Sequence, residues 1–258
     1  MSSRVTALGP AVLAAATVLA GLPGSAPAAA APGSSATSST AVVQAMLRSA
    51  GTVRLDGVTV RLRAGTRQVV TVNRTRSYRA RVTYWVLRDG RWVVKRRTTD
   101  GRIGYGGLVA ATKRKQSTGT TPLGTFTMTE AFGLRPRPSG TALPYRKVRK
   151  GDYWVQDNRS AFYNTLRNKG AGGFRWWLPA SNPNASERLR DYRRQYVWSI
   201  VIDFNRPPNA VRYRGSGIFL HANGKAATAG CVSVPAPFVK FVLKRLRANR
   251  APVIAIGR

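Results

Sequence analysis

The chain has 258 residues and 43% of them are apolar, which suffices for an ordinary globular core and excludes an intrinsically disordered chain. Its 43 Lys and Arg residues outnumber 9 Asp and Glu residues, so the formal net charge is +34. This surplus indicates a polyanionic partner or surface, but it does not indicate which reaction, if any, the protein catalyses.

Residues 1–31 have the pattern of a secretory signal peptide. Arg4 precedes an uncharged run that ends near Leu22, and a small-residue segment with A-x-A-like cleavage sites follows it. We expect cleavage near Ala29 to Ala31. The alternative is a retained N-terminal anchor, but the run is shorter than the roughly 20 apolar residues that a membrane span needs. The mature protein is therefore expected to be exported and to have no transmembrane span.

The segment between the signal peptide and the main domain divides into two parts. Residues 32–40 are small and polar, as is typical of a linker. Residues 41–66 are expected to form a small N-terminal extension, with a short helix over 41–50. Residues 53–62 alternate around an Asp-Gly turn dipeptide, which predicts a β-hairpin.

Strand patterns become dense from residue 67 onward. Segments rich in β-branched and aromatic residues predict strands over 68–72, 80–88, 91–95, 124–129, 197–204, 217–220 and 252–256. The long middle, residues 131–192, shows few regular periods. Because a loop of roughly 60 residues is uncommon in a compact domain, we expect short helices around 160–168 and 186–195.

The clearest helix lies near the C-terminus. Pro237 suits its first turn, and apolar residues recur at helical spacing at Phe238, Val239, Val242, Leu243 and Leu246. Regular helices do not separate the predicted strands. The fold class is therefore mainly β with a few helices, a sandwich or barrel rather than a parallel α/β sheet.

Two residues carry the candidate chemistry, because His221 is the only histidine and Cys231 the only cysteine. A lone cysteine in an exported chain is an inert buried thiol, an intermolecular link or a reactive group. A nucleophilic thiol needs a neighbouring base, and imidazole suits that role near neutral pH. Each residue alone is more often structural, but the two together favour a nucleophile and its base. The chain offers no Cys or His set for a zinc site, and we expect no metal or cofactor.

The motifs around this pair resemble those of the L,D-transpeptidase (YkuD-like) catalytic domain family. The order is His followed by Ser/Thr-x-Gly-Cys, and residues 121–126 (TPLGTF) are similar to the family's T-P-x-G-x-F signature. Residues 152–164 resemble the W-x-x-D…YN segment of the branch that also carries Ile-Phe-Leu-His, and residues 196–205 fit the strand before the His loop. The resemblance covers about residues 67–258, which we expect to be the catalytic domain.

The resemblance implies a β-sandwich with a helix after the nucleophile loop, and two-step acyl transfer on peptidoglycan. Cys231 would attack the carbonyl of the third residue, a diamino acid, in a tetrapeptide stem, release D-Ala and form a thioester. An amine of a second stem would then form a 3→3 cross-link. The partners are thus stem peptides, and anionic cell-wall polymers explain the positive charge more simply than nucleic acid does in an exported protein.

The resemblance also implies roles for backbone groups beside the pair. A nearby backbone carbonyl, here that of Ala222, would orient the imidazole of His221. The N–H groups of Ala229, Gly230 and Cys231 are the candidates for the oxyanion hole. These groups would stabilise the negative oxygen of the tetrahedral intermediate.

The sequence departs from the commonest family pattern at two positions. Ala229 stands where many members have a second histidine, and Ser233 stands where many have Arg or Asn, so how substrate carboxylates are held is open. Thr228 and Ser233 are candidates to orient the thiol or to bind substrate, although both are ordinary turn residues. Tyr163 and Asn164 are candidates to shape the cleft.

Two other functions remain as alternatives. Within the same chemistry, water as acceptor would make the protein an L,D-carboxypeptidase. From a different class, it would be a non-catalytic cationic wall-binding protein on a degenerate enzyme fold. The presence of both Cys231 and His221 favours an enzyme, and their short separation disfavours a sortase-like one.

Overall fold

The computed structural model describes residues 51–258, so the signal peptide, the linker and the helix expected over 41–50 lie outside the described residues. Strands dominate this part of the chain. They are β1 (Gly51–Leu55), β2 (Val58–Leu62), β3 (Gln68–Arg74), β4 (Arg79–Arg88), β5 (Arg91–Arg102), β6 (Leu108–Ala110), β7 (Thr121–Thr127), β8 (Ala131–Gly133), β9 (Tyr145–Lys147), β10 (Asp152–Trp154), β11 (Leu166–Asn168), β12 (Glu187–Arg188), β13 (Ser199–Val201), β14 (Phe219–Ala222), β15 (Val232–Val234) and β16 (Val253–Gly257).

Helical structure is sparse within the described residues. The α-helix α1 spans Ala236–Leu243, and single 3-10 turns occur at Ala111–Lys113, Lys169–Ala171, Leu189–Asp191, Gln195–Val197 and Ala248–Arg250. Over the described residues, the helices are too short or too polar to cross a membrane. The prediction of a mainly β fold with a few helices is confirmed.

One large sheet folds over the main hydrophobic core. Its strand order is β6-β7-β16-β3-β4-β5-β15-β14-β13-β8-β9, and a single residue pair, Arg102 with Ser233, joins β5 to β15. Side chains from both halves of the sheet and from α1 meet in one buried cluster, for example Val72, Leu220 and Phe238. The sheet therefore acts as a β-sandwich, in which apolar side chains of both halves leave water together.

The hairpin β1–β2 packs on the outer face of β3 and β16. Alternate residues of a strand point to opposite faces, so Val70 faces the main core while Val69 faces the hairpin. Val58 and Val60 complete this second cluster. The predicted two-residue Asp-Gly turn is confirmed, since Leu55 pairs with Val58 across it.

The middle of the chain differs from the prediction. The helix expected over 160–168 is wrong, because residues 161–164 form a turn and β11 begins at Leu166. Asn164 has a φ of 60°, outside the helical region, and its side chain accepts a hydrogen bond from Trp154 Nε1 at 2.8 Å. The segment 186–195 contains β12 and 3-10 turns rather than a regular helix. β11, β10 and β12 form a separate three-stranded sheet.

The helix predicted after the cysteine is confirmed. α1 follows Pro235 and carries Pro237 in its first turn, where the missing N–H of proline leaves no helical hydrogen bond unmade. Its apolar face, including Val239 and Val242, is fully buried in the main core. This packing holds the chain just after the candidate nucleophile against the sheet.

Two valines allow a matched test of the hairpin's packing. Val60 is fully buried against the sheet, so Val60→Ala should lower the free energy of unfolding by about 2 kcal/mol. Val94 is 41% exposed, and Val94→Ala should cost less than about 0.5 kcal/mol. Chemical denaturation of both variants measures the difference. Equal losses would show that the hairpin does not share the core of the sheet.

Candidate active site

Two adjacent parallel strands bring the histidine and the cysteine together. His221 lies within β14, and Cys231 immediately precedes β15. The two strands pair in parallel, with Leu220 opposite Val232 and His221 opposite Ser233. The loop between them therefore returns the chain to the start of β14, and Cys231 lies beside the strand that carries the imidazole.

His221 is a buried, neutral imidazole. Its Nδ1 lies 2.7 Å from the carbonyl oxygen of Ala222, the atom that the resemblance implied. Because a carbonyl can only accept, Nδ1 carries the proton and Nε2 keeps its lone pair. Burial lowers the pKa of His221 to about 4, against the opposing effect of the Ala222 hydrogen bond. Near neutral pH the ring is thus in the form that can accept a proton.

Cys231 is a buried thiol rather than a resting thiolate. Its Sγ donates a hydrogen bond to the carbonyl oxygen of Gly217 at 3.2 Å. Burial and, to a smaller extent, the negative charge of Glu187 raise the pKa of Cys231 to about 12, against the opposing effects of a backbone hydrogen bond from Phe219 and the positive charge of Arg114. Near neutral pH almost no thiolate therefore exists at this position.

Hydrogen bonds from Thr121 hold the nucleophile loop in place. Thr121, the first residue of the TPLGTF segment, is fully buried in β7. Its hydroxyl accepts from Gly104 N at 2.8 Å and donates to the carbonyl oxygen of Gly230 at 2.7 Å. Thr228 adds a second bond from its hydroxyl to the carbonyl oxygen of Cys231 at 2.6 Å. The two threonines fix the backbone on both sides of Gly230.

Gly230 occupies a position that a side chain would not fit. Its φ is 130°, in the region that favours glycine. A Cβ atom built there would lie 2.8 Å from the carbonyl oxygen of Thr120 and 2.9 Å from Nη2 of Arg114. The Gly-Cys sequence is therefore required by close packing of the loop against its neighbours.

His221 and Cys231 line one cavity of about 630 Å³. Of the residues singled out from the sequence, four line it: His221, Thr228, Ala229 and Cys231. Charged and polar walls come from other elements, notably Arg114, Glu187 and Tyr196. Its volume and mixed lining suit a polar ligand of peptide size.

Ser233, Asn164 and Tyr163, which were also predicted, do not line the cavity. Ser233 is fully buried, and its hydroxyl donates to Asn223 Oδ1 at 2.8 Å. Asn164 is also buried, and its Oδ1 accepts from Gly217 N at 3.0 Å. Tyr163 donates its hydroxyl to Gln116 Oε1 at 3.0 Å. Asn164 thus holds Gly217, whose carbonyl oxygen accepts the hydrogen bond from the thiol.

Sequence reasoning missed the charged residues that line the cavity, among them Arg114 and Glu187. Arg114 is 5% exposed, donates from Nε to Thr120 at 2.8 Å and from Nη1 to Arg214 at 3.1 Å, and burial lowers its pKa. Glu187 accepts from the Tyr196 hydroxyl, and burial raises its pKa to about 7. Arg114 lies in no motif, whereas the scarcity of acidic residues could have drawn attention to Glu187. Within residues 51–258, His, Cys, Asp and Glu side chains form no group able to hold a metal ion.

Thr121 provides a test of how the loop is held. Thr121→Val keeps the side-chain shape but leaves the Gly104 N–H and the Gly230 carbonyl without their partner, so the free energy of unfolding should fall by about 2 kcal/mol or more. Iodoacetamide should also alkylate Cys231 faster, because a loosened loop lets the reagent reach the buried thiol. Thr121→Ser keeps the hydroxyl and is the matched control. Equal stability and equal alkylation rates in the two variants would contradict this account.

Comparison with known proteins identifies the domain. No curated protein sequence matches the chain. The crystal structure of the helical cell shape determining protein Pgp2 from Campylobacter jejuni, in a mutant form, is similar with 12% identity and a TM-score of 0.37; the match covers 74% of this chain and 46% of that one. A family model described as the L,D-transpeptidase catalytic domain (YkuD) matches residues 67–254, which is more than half of the chain. The chain therefore belongs to the L,D-transpeptidase catalytic domain family.

Proposed function

We propose that the protein is a peptidoglycan L,D-transpeptidase with Cys231 as nucleophile and His221 as general base. One observation carries the proposal: the only thiol and the only imidazole of the chain line the same cavity, inside the region that the family model matches. The family acts on peptidoglycan stem peptides. The reaction is transfer of a stem acyl group through a thioester on Cys231.

The protonation states argue for attack coupled to proton transfer. At neutral pH both Cys231 and His221 are uncharged, since burial moves their pKa values in opposite directions. As Sγ forms a bond to the substrate carbonyl carbon, the thiol proton gives up its hydrogen bond to the Gly217 carbonyl and passes to Nε2 of His221. The imidazolium then gives that proton to the amine of the departing D-Ala, which leaves the thioester behind.

Backbone N–H groups beside the thiol are proposed to stabilise the tetrahedral oxyanion. The Gly230 N–H already donates to Thr228 Oγ1 at 3.2 Å. Ala229 and Cys231 are therefore the better candidates among the three N–H groups. Preorganised donors of this kind lower the barrier because they need no reorganisation when charge develops.

Arg114 is proposed to hold a substrate carboxylate, the task that Ser233 cannot perform. In the described part of the chain its Nη2 has no hydrogen-bond partner and the guanidinium has no carboxylate partner. A Cβ atom built on Gly230 would lie 2.9 Å from Nη2, so this nitrogen lies against the loop that carries Cys231. A buried cation without an anion is costly, and a bound carboxylate would offset that cost.

A substrate comparison tests Arg114. We expect Arg114→Gln to lower kcat/KM for a tetrapeptide with a free terminal carboxylate by about 100-fold, and for its terminal amide by about tenfold or less. The reason is that the amide lacks the charge that the guanidinium pairs with. Kinetics of D-Ala release against D-Ala amide release measures both values. Equal losses on the two substrates would assign Arg114 a structural role instead.

The charge and the N-terminal pattern support a location at the cell wall. A net charge of +34 attracts the anionic polymers of the wall over long distances. The signal peptide over 1–31, the linker over 32–40 and the extension over 41–66 remain predictions. Export would bring the catalytic domain to its proposed substrate.

The decisive experiment is incubation of the mature chain with tetrapeptide muropeptides. Mass analysis separates cross-linked dimers, expected from a transpeptidase, from tripeptides, expected from a carboxypeptidase. Cys231→Ala should abolish both products, and His221→Gln should slow acylation by about 100-fold or more. A carbapenem should form an adduct at Cys231. Wall binding without either product would instead favour the non-catalytic cationic protein.

A further inference from the structure

Glu187 and the thiol of Cys231 line the same cavity. Glu187 belongs to β12, where it pairs with Trp154 of β10. A Cβ atom built on Gly217 would lie 3.6 Å from its Oε2, and the carbonyl of Gly217 accepts the bond from Cys231 Sγ. Gly217 therefore lies close to both the carboxyl group and the thiol.

This carboxyl group lacks a cationic partner in a strongly basic chain. Six of the nine acidic residues form ion pairs, namely Asp56, Asp100, Glu130, Asp152, Asp157 and Asp191. Within residues 51–258 Glu187 forms none and accepts only from neutral donors, the Tyr196 hydroxyl and Gln156 Nε2, the latter at 3.4 Å. An unpaired carboxyl group facing a cavity is a site for a cationic ligand group.

Glu187 does not help the first half of the proposed reaction. Its negative charge raises the pKa of Cys231 and so opposes loss of the thiol proton. Once the thioester has formed, Sγ carries no proton and this penalty disappears. An amine acceptor then arrives as an ammonium ion, which cannot attack a carbonyl until it loses a proton.

We infer that Glu187 binds the ammonium group of the acceptor and takes one proton from it, so that the neutral amine attacks the thioester. This inference rests on the proposed transpeptidase function. It makes Glu187 a catalytic residue of the second half-reaction, and it favours an amine over water as the acceptor.

The step balances without any further reactant. The amine nitrogen forms a bond to the thioester carbonyl carbon, and the bond from that carbon to Sγ breaks. The second amine proton passes through His221 to Sγ and restores the thiol. Glu187 returns the proton that it accepted to water. The products are the amide cross-link, the free enzyme and one proton.

Tyr196 is the positioning residue in this scheme. Its hydroxyl donates to Glu187 Oε1, and its ring lies edge-on to the ring of His221 with centroids 5.4 Å apart. The other titratable or charged groups that line the cavity are Tyr105, Arg114, Tyr153, Arg188, Asp191, Tyr192, His221, Lys225 and Cys231. On the same segment, Arg188 pairs with Asp191 at 3.6 Å. None of these cations forms an ion pair with Glu187 within the described residues.

The inference is tested by measuring how the acyl-enzyme divides between aminolysis and hydrolysis. The mature chain is given a tetrapeptide donor and either a tripeptide muropeptide, whose amine is an ammonium ion at neutral pH, or methoxyamine, which is uncharged. Mass analysis gives the ratio of aminolysis to hydrolysis. Glu187→Gln should lower this ratio about tenfold or more for the ammonium acceptor and less than about twofold for methoxyamine. Glu130→Gln, at the chain's other glutamate, should change neither ratio.

The pH profile separates catalysis from structure. In the wild type the aminolysis ratio should rise through about pH 7 and then level off, because Glu187 accepts a proton only when ionised and burial raises its pKa to about 7. In Glu187→Gln the ratio should keep rising with the free-amine fraction. Tyr196→Phe removes a hydrogen bond that lowers this pKa, so it should move the inflection to higher pH.

The outcomes distinguish this inference from the proposed function. Equal changes for both acceptors in Glu187→Gln, or an unmoved inflection in Tyr196→Phe, would overturn the role of Glu187 while leaving the transpeptidase function intact. A wild-type protein that yields neither dimers nor tripeptides would overturn both. A wild-type protein that yields only tripeptides, whatever the acceptor, would overturn the role of Glu187 and favour the carboxypeptidase.

Discussion

The parallel pairing of β14 with β15 is the constraint on which the rest of the site depends. It places Leu220 opposite Val232, and both are fully buried, so a shift in register would move apolar side chains out of the core. The same pairing brings Cys231 beside the strand that carries His221. After β15, α1 packs on the core, and just before β15 the hydroxyl of Thr121 bonds to the carbonyl oxygen of Gly230. These contacts hold the loop between β14 and β15. Core stability and site geometry therefore have one origin.

Burial explains the electrostatics of the cavity. It favours neutral forms, so it lowers the pKa of His221 to about 4 and raises that of Cys231 to about 12. Arg114 and Glu187 line the same space, and neither has an oppositely charged protein partner in the described residues. In the proposed reaction Arg114 would pair with the carboxylate of the donor and Glu187 with the ammonium group of the acceptor. The thiol beside them is uncharged at rest.

Local patterns predicted the regular elements well and the middle of the chain poorly. The hairpin around Asp56 and the helix around Val239 follow from turn chemistry and from apolar periodicity, which act between near neighbours. The region around Asn164 has no such period. There the side chain of Asn164 forms hydrogen bonds with Trp154 and Gly217, which belong to other segments of the chain. The backbone adopts a turn that allows these bonds, and the predicted helix does not form. The helix is expected only because long loops are uncommon, so no local pattern opposes these tertiary hydrogen bonds.

The sequence by itself determined the fold class, the family and the candidate pair, because the chain contains one cysteine and one histidine and the family motifs surround them. Only the tertiary structure decided which charged groups accompany that pair. Arg114 and Glu187 belong to loops and strands far apart along the chain, and no spacing rule relates them to Cys231. Their proximity to the thiol depends on how the separate sheets close around the cavity. That closure is set by packing between distant residues, which a local pattern does not encode.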